Sequence, residues 1–275
     1  MSTGEASKPR SVGKLIEDVT VPPNAVGMFW LGGNSLALKS QKQQVYLIDP
    51  AFSQWDGGGP VGTIDVRPDL VICSLKVPGG LDLSTLTHIS TAFSEVRFVG
   101  SDAGRDWMIG RGGIAKFDEV PVDPEKVKAL QYGDRVDVRR LHVRDAVSIR
   151  MLPGADVDEQ GCWNFAFTFS GLQICVIREV FGSEGLEELC GALPRRIDVL
   201  IWSLTESGVA GAQEVIGRLA PRYAIPVGYD HLKSGRSIAR EFRTVVDGMS
   251  GVKAYLFAQD YMEGLVYSRI MSRRR

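Results

Sequence analysis

The chain has 275 residues, of which 44% are hydrophobic and 24% charged, and its net charge is −1. These values are ordinary for a globular protein, and the charge balance excludes a general attraction to nucleic acid or to anionic membranes. No apolar run reaches the roughly 20 residues that a membrane-spanning helix needs. We therefore expect neither a nucleic-acid partner nor a membrane.

Residues 1–12 lack the apolar core of a secretion signal, so we expect a disordered leader followed by one domain over residues 13–275. The four cysteines form no C-x-x-C pair and mostly lie in apolar segments: Cys73, Cys162, Cys175 and Cys190. That usage is typical of reduced, buried thiols, and it predicts a cytoplasmic protein.

The first half of the chain predicts a meander of short strands that leads into a strand–helix–strand unit. Strands are predicted at 26–30, 35–39, 45–48, 70–73 and 96–99, with a helix at 83–90. Glycines at 32 and 33 make a turn between the first two strands. Asp123 followed by proline predicts a capped helical turn over 124–130.

The second half changes to an alternation of period two and then to alternating helices and strands. Strands are predicted at 136–138, 147–151, 164–169, 172–177, 197–202, 224–227, 254–257 and 265–267, and helices at 186–193, 212–219 and 237–248. Ser170 and Gly171 predict a hairpin turn. Two such halves indicate an α/β fold in which two sheets pack together with helices outside.

The segment from Pro68 to Asp82 reads P-D-L-V-I-C-S-L-K-V-P-G-G-L-D. It resembles the metal-binding loop of the metallo-β-lactamase superfamily, D-L-V-x-x-T-H-x-H-x-D-H-x-D. Five more fragments, in the same order as in the branch around L-ascorbate-6-phosphate lactonase, extend the resemblance over residues 26–267. They are F-W-L-G-G-N-S-L-A-L, V-Y-L-I-D-P-A-F-S, G-L-Q-I-C-V-I-R-E-V, I-D-V-L-I-W-S-L and L-A-P-R-Y-A-I-P-V-G-Y-D-H-L. The resemblance implies a four-layer αβ/βα sandwich.

The metal ligands of that superfamily are absent at the positions that the resemblance matches. The loop ligands fall on Leu75, Val77, Gly79 and Gly80, two further histidines on Gly33 and Gly228, another near Asp156, and the bridging aspartate on Glu179. The chain has three histidines, and none falls on a ligand position. Because a dinuclear site needs several imidazoles and a bridging carboxylate, we expect no metal cofactor.

Arg178 stands beside the position of the lost bridging carboxylate and has two interpretations. Its guanidinium could neutralise Glu179, Asp49 or Asp156 inside the former site. Alternatively, Arg178 and Lys76 could receive a small anion such as phosphate or a carboxylate.

Two further possibilities concern the cavity that the metal site of the superfamily would occupy. Asp49, Asp156 and Glu179 could hold one hard divalent cation through oxygen ligands, although the emptied loop offers few more oxygens. Tyr229 and His231 follow Gly228 and could place an acid, a base or an anion contact at the mouth of the cavity. A loop histidine without a role is the alternative for His231.

Three hypotheses about function follow. In the first, the chain is a metal-free pseudo-hydrolase that serves as a small-anion-binding or regulatory module, with Arg178 and Glu179 at the floor of the cavity. In the second, it is a structural subunit that assembles with itself or with an active relative, since relatives of this branch form homo-oligomers. In the third, it is a lactonase-like hydrolase with a rebuilt, atypical or metal-independent site. Whether the chain is an enzyme stays open.

Overall fold

The structure is a computed structural model, and its two seven-stranded sheets pack face to face with α-helices on their outer sides. It describes residues 12–52, 66–74, 82–110, 122–137, 148–152, 163–178, 180, 182–193, 196–205, 209–257 and 264–268. The layers give an αβ/βα sandwich, which confirms the predicted fold class.

The first sheet has the strand order β14-β1-β2-β3-β4-β5-β6. Its strands are β1 Ala25–Gly32, β2 Ser35–Lys39, β3 Val45–Ile48, β4 Leu70–Cys73, β5 Arg97–Ser101, β6 Val127–Leu130 and β14 Gly264–Ser268. The strands from β14 to β3 are antiparallel, and those from β3 to β6 are parallel. The helices α1 Val12–Asp18, α2 Leu83–Ala92 and α3 Asp102–Met108 belong to this half.

The second sheet repeats this plan with the strand order β13-β12-β11-β10-β9-β8-β7. Its strands are β7 Arg135–Asp137, β8 Ser148–Leu152, β9 Asn164–Phe169, β10 Leu172–Ile177, β11 Val199–Ser203, β12 Tyr223–Val227 and β13 Lys253–Ala254. Strands β7 to β10 are antiparallel, and β10 to β13 are parallel. The parallel strands are joined by α4 Gly182–Ala192, α5 Ala210–Leu219 and α6 Gly235–Asp247.

Alternate residues of each strand face the two sides of a sheet, and β1 shows how this divides the core. Met28 and Trp30 belong to the larger cluster, which joins both sheets and also includes residues of the outer helices of the second sheet, whereas Phe29 and Leu31 belong to a separate cluster on the other face of the first sheet. Because both faces of the sheets are covered, their strands are predominantly apolar.

Most predicted strands agree with the structure, and the strands 35–39, 45–48, 70–73, 164–169 and 172–177 agree residue for residue. The helical turn predicted over 124–130 is wrong after its third residue. Asp123 does cap a 3-10 turn at Pro124–Lys126, but Val127 to Leu130 then pair with β5 as a parallel edge strand. Pairing with a buried neighbour overrides the local preference there.

The predicted leader lies outside the described residues except for Val12, where the unpredicted helix α1 begins. The buried Lys39 holds this helix, since its Nζ donates to the carbonyls of Ile16 at 2.6 Å, Glu17 at 3.0 Å and Val19 at 2.9 Å. A cation there satisfies the free carbonyls of a helix end. Among the described residues, no helix is long and apolar enough to cross a membrane.

Candidate functional site

Polar residues from both sheets, Asp49 and Arg178 among them, meet at one edge of the sandwich, where parallel strands of both sheets end. Asp49 follows β3 and Ser74 follows β4 in the first sheet, while Arg178 follows β10 and Ser203 ends β11 in the second. Asn34 lies in the turn between β1 and β2. The carboxyl ends of parallel strands share an edge, so these side chains converge although they are far apart in the sequence. We call this group the Arg178 network.

Arg178 is the centre of the network, and its side chain is only 1% exposed. Its Nε donates to Ser74 Oγ at 2.7 Å. Its Nη1 donates to Ser203 Oγ at 2.6 Å and to Asn34 Oδ1 at 3.0 Å. Its Nη2 donates to Asp49 Oδ2 at 2.5 Å and to the Asn34 carbonyl at 3.5 Å. A guanidinium has five N–H donors, and each of them therefore has an acceptor within the protein.

Asp49 is the anion that balances this cation, and its side chain is fully buried. It accepts a hydrogen bond from the Ser74 backbone N–H at 2.5 Å and another from the Ser74 hydroxyl. Burial raises the pKa of Asp49 above its ordinary value, and the Arg178 guanidinium and the two Ser74 donors oppose this rise. Because an arginine stays protonated in proteins, the buried pair is neutral only while Asp49 is ionised.

The two glycines at lost histidine positions are packed against neighbours. At Gly33, with φ +53°, an added Cβ would lie 2.4 Å from Nε2 of His231. At Gly228, with φ +77°, it would lie 2.9 Å from Oδ1 of Asn34. The Gly228 N–H donates to the Gly33 carbonyl at 2.8 Å, which joins the two sheets directly. The space that a histidine would need at either position is thus occupied.

The structure places Tyr229 and His231 beside this glycine contact, in a 3-10 turn at Tyr229–His231. The Tyr229 ring is buried and stacks on Trp30 at 4.9 Å, and its hydroxyl donates to the Phe257 carbonyl at 3.0 Å. The His231 side chain is 54% exposed, with Nε2 at 4.0 Å from Oδ1 of Asp230. Tyr229 is therefore a packing residue, whereas His231 covers Gly33 from the outside.

Three predicted site residues, Lys76, Asp156 and Glu179, lie outside the described residues. Of the other four, the structure brings Asp49 and Arg178 together, and it places Tyr229 and His231 on the neighbouring turn.

The prediction from sequence missed two partners of Arg178, Asn34 and Ser203, and the carboxylate of Asp230, which accepts the Gly33 N–H at 2.8 Å. The sequence pattern that could have indicated these three residues is their position, since each lies in a turn or just after a predicted strand.

Asp82, in the loop that the resemblance matches, and Trp163 have structural roles. Asp82 caps α2 by accepting from the Thr85 N–H at 3.2 Å and the Thr85 hydroxyl at 2.6 Å. The indole N–H of Trp163 donates to the Cys73 carbonyl at 2.6 Å, and its backbone N–H donates to the Ser74 carbonyl at 2.9 Å. These contacts fix both ends of the strand–loop–helix unit independently of any metal.

The donors that the structure describes at this edge do not fit the dinuclear site that the resemblance implies. Within the described part of the chain, no three His, Cys, Asp or Glu side chains group closely enough to hold a metal ion. The Asp49 carboxylate is taken by Arg178 and Ser74. Burial raises the pKa of the Cys73 thiol, and the nearby Asp49 raises it further. Cys73 is therefore a protonated thiol in the metal-free protein.

Two cavities border the described residues. One of about 350 Å³ lies beside Trp30 and Tyr229 and is closed on its other side by the first turn of α6. The other, of about 720 Å³, lies at the opposite edge of the first sheet, between α1 and the exposed ion pair of Arg67 with Glu95. It is larger, but none of Asp49, Arg178, Tyr229 and His231 lines it.

No protein-family model matches the sequence, and no curated protein matches it. Solved structures do resemble the chain. Igni18, a metallo hydrolase from the archaeon Ignicoccus hospitalis, matches with a TM-score of 0.66 and 13% identity over 89% of this chain and 99% of that one. The metallo-β-lactamase fold protein YhfI from Bacillus subtilis matches with a TM-score of 0.56 and 13% identity over 88% and 99%. The lactonase branch stays a prediction from the sequence, and the chain has the metallo-β-lactamase fold.

Proposed function

We propose that this chain is a metal-free, non-hydrolytic protein of the metallo-β-lactamase fold that acts as a structural subunit. One observation carries the proposal: the five N–H donors of Arg178 are satisfied inside the protein, and its charge is neutralised by Asp49. The centre of the former site is thereby filled with the chain's own paired groups.

The same geometry argues against Arg178 as a receptor for a small anion. An incoming phosphate or carboxylate would have to displace Asp49 from the guanidinium and leave that carboxylate buried without its partner. Breaking a buried ion pair in this way costs about 3–5 kcal/mol. Of the two interpretations of Arg178, the geometry favours the one in which it neutralises a buried carboxylate.

The first experiment is elemental analysis of the protein as purified, combined with hydrolysis assays. Bis(p-nitrophenyl) phosphate, nitrocefin and a simple lactone are the substrates, each with and without added Zn²⁺ or Mn²⁺. We expect substoichiometric metal and no turnover above buffer. Stoichiometric zinc or manganese, or turnover that a chelator abolishes, would overturn the proposal in favour of a rebuilt hydrolase.

A second experiment separates the structural subunit from the anion-binding module. Thermal unfolding is followed while phosphate is titrated, with sodium chloride of equal ionic strength as the control. A receptor is stabilised in proportion to the logarithm of ligand concentration. We expect the two salts to give the same curve, and a shift specific to phosphate that keeps rising with the logarithm of its concentration would favour the anion-binding module.

A further inference from the structure

The outer face of the second sheet is a layer of three helices that differ in charge. Helices α4, α5 and α6 each connect neighbouring parallel strands, so they lie side by side on one face, with α5 in the middle. Their apolar sides pack onto the sheet through residues such as Leu189, Ile216 and Phe242. We call their outward side the α4–α6 layer.

The two edges of this layer carry opposite charges without partners. Glu184 and Glu188 are exposed on α4, and Arg236 and Arg240 are exposed on α6. Within the described part of the chain, none of the four makes an ion pair or a side-chain hydrogen bond. Each pair is spaced by four residues, which places both members on one side of a helix about 6 Å apart.

In an isolated subunit, the charge of Arg236 is in an electrostatically unfavourable position. It lies in the first turn of α6, which has no acidic residue there. The amino end of a helix carries a partial positive charge, so a cation in this turn is repelled and an anion is attracted. An acidic group from outside the subunit would relieve that repulsion.

The middle of the layer offers room for a close neighbour. Gly211 and Gly217 are exposed on α5, and an added Cβ would meet nothing within 4 Å at either position. Glycine in a helix interior costs up to about 1 kcal/mol relative to alanine, and no contact in the described structure offsets this cost. Each glycine leaves a gap in the exposed surface of α5, beside the exposed side chains of Gln213, Glu214 and Arg218.

We propose that the α4–α6 layer is the interface of a homodimer in which α4 of one subunit lies against α6 of the other. A two-fold axis along α5 brings both pairs of edges together at once and sets Glu184 and Glu188 opposite Arg236 and Arg240. Nucleic acid or an acidic protein would satisfy α6 alone and would be repelled by the glutamates of α4. A second copy of the chain satisfies both edges.

The size of the layer sets the strength of the dimer. Helices of 10 to 13 residues are about 15–20 Å long, and three of them are about 30 Å wide, which gives roughly 500 Å². A standard interface buries about 800 Å² per partner, so the dimer is weak. Because its contacts are charged and exposed, it dissociates as salt shortens the screening length from about 8 Å to about 3 Å.

The test is sedimentation velocity over a concentration series at low and high salt. One variant carries Glu184→Lys and Glu188→Lys, and the other carries Arg236→Glu and Arg240→Glu. We expect the wild type to dimerise at low salt and each variant alone to be monomeric, since its homodimer would oppose like charges. An equimolar mixture of the two variants should dimerise again, because both contacts then join opposite charges.

Exposed charges on the other half, reversed as Glu125→Lys or Lys128→Glu, are the controls and should leave the dimer unchanged. If either double variant fails to fold, Gly217→Trp blocks the middle of the layer without changing its charge and should give a monomer. A wild type that is monomeric throughout, a dimer that survives both reversals, or a mixture that stays monomeric would each overturn the inference.

This inference rests on the proposed function, in which the chain acts by assembling. The two can fail separately, because metal content and hydrolysis report on the Arg178 network and sedimentation reports on the α4–α6 layer.

Discussion

The Arg178 network and the α4–α6 layer are two gatherings of charge that the protein treats in opposite ways. In the network the cation and the anion are both buried, and every donor of Arg178 has an internal acceptor. In the layer, Glu184, Glu188, Arg236 and Arg240 face solvent and have no ion-pair partner among the described residues. The difference teaches that charges whose partners lie inside the fold are buried as a pair, whereas these four charges on the outer helices of the second sheet are exposed to solvent.

Breaking the Arg178 network should have the largest effect on the free energy of unfolding. Replacing Arg178 by methionine keeps most of the apolar volume but leaves the Asp49 carboxylate buried without its counter-charge. We expect Arg178→Met to lower the free energy of unfolding by about 3–5 kcal/mol, measured by urea denaturation.

A double-mutant cycle supplies the control for that loss. Asp49→Asn removes the charge and keeps the shape, so the double variant Arg178→Met/Asp49→Asn should lose less than the sum of the two single variants. Additive losses would show that the two residues do not depend on each other.

The buried thiols of Cys73 and Cys175 should make the free energy of unfolding depend on pH. Burial raises the pKa of Cys73 and of Cys175 above the ordinary value. Each thiol therefore stabilises the fold fully below about pH 8.5, and above it the unfolded chain gains about 1.4 kcal/mol per pH unit and per thiol. Urea denaturation over one pH unit well above about 8.5 should show a loss of about 3 kcal/mol for the two thiols. In Cys175→Ala the slope should fall by about 1.4 kcal/mol per pH unit, and a slope that stays unchanged would rule out this origin.

Gly235, buried at the start of α6, and Gly217, exposed on α5, should respond to alanine with opposite signs. At Gly235, a Cβ would lie 1.5 Å from the Tyr229 carbonyl oxygen, so the turn that carries His231 must move. We expect Gly235→Ala to destabilise the fold by about 1–3 kcal/mol, as overpacking does. Thermal or urea unfolding measures it, and a neutral result would mean that the turn yields freely.

The smallest effect is expected at Gly217 in the α4–α6 layer. Nothing lies within 4 Å of an added Cβ, so alanine should only improve the helix. We expect Gly217→Ala to stabilise the isolated subunit by up to about 1 kcal/mol, measured by urea denaturation at high salt. A loss of stability under those conditions would show that the position is already packed within one subunit.

Local pattern predicted the parts of the fold that depend on neighbouring residues. The period-two pattern predicted β9 and β10 residue for residue. The two-residue turn between them sets where both strands end, and Ser170 and Gly171 both take the positive φ that such a turn needs. Helix α3 was missed because its seven residues show little periodicity, although Ser101 caps it by accepting the Gly104 N–H at 3.0 Å. Edge strand β6 was missed because its partner β5 decides its conformation.

The sequence by itself determined the fold and the absence of histidines from the positions that the resemblance matches. It left two interpretations of Arg178, and only the tertiary structure decided which one the geometry favours. Asp49 and Asn34 precede Arg178 by 129 and 144 residues, and Ser203 follows it by 25. The order of strands in two sheets brings these groups to one edge. The physical reason is that a buried guanidinium needs acceptors in all its N–H directions, and no local stretch of chain can supply them.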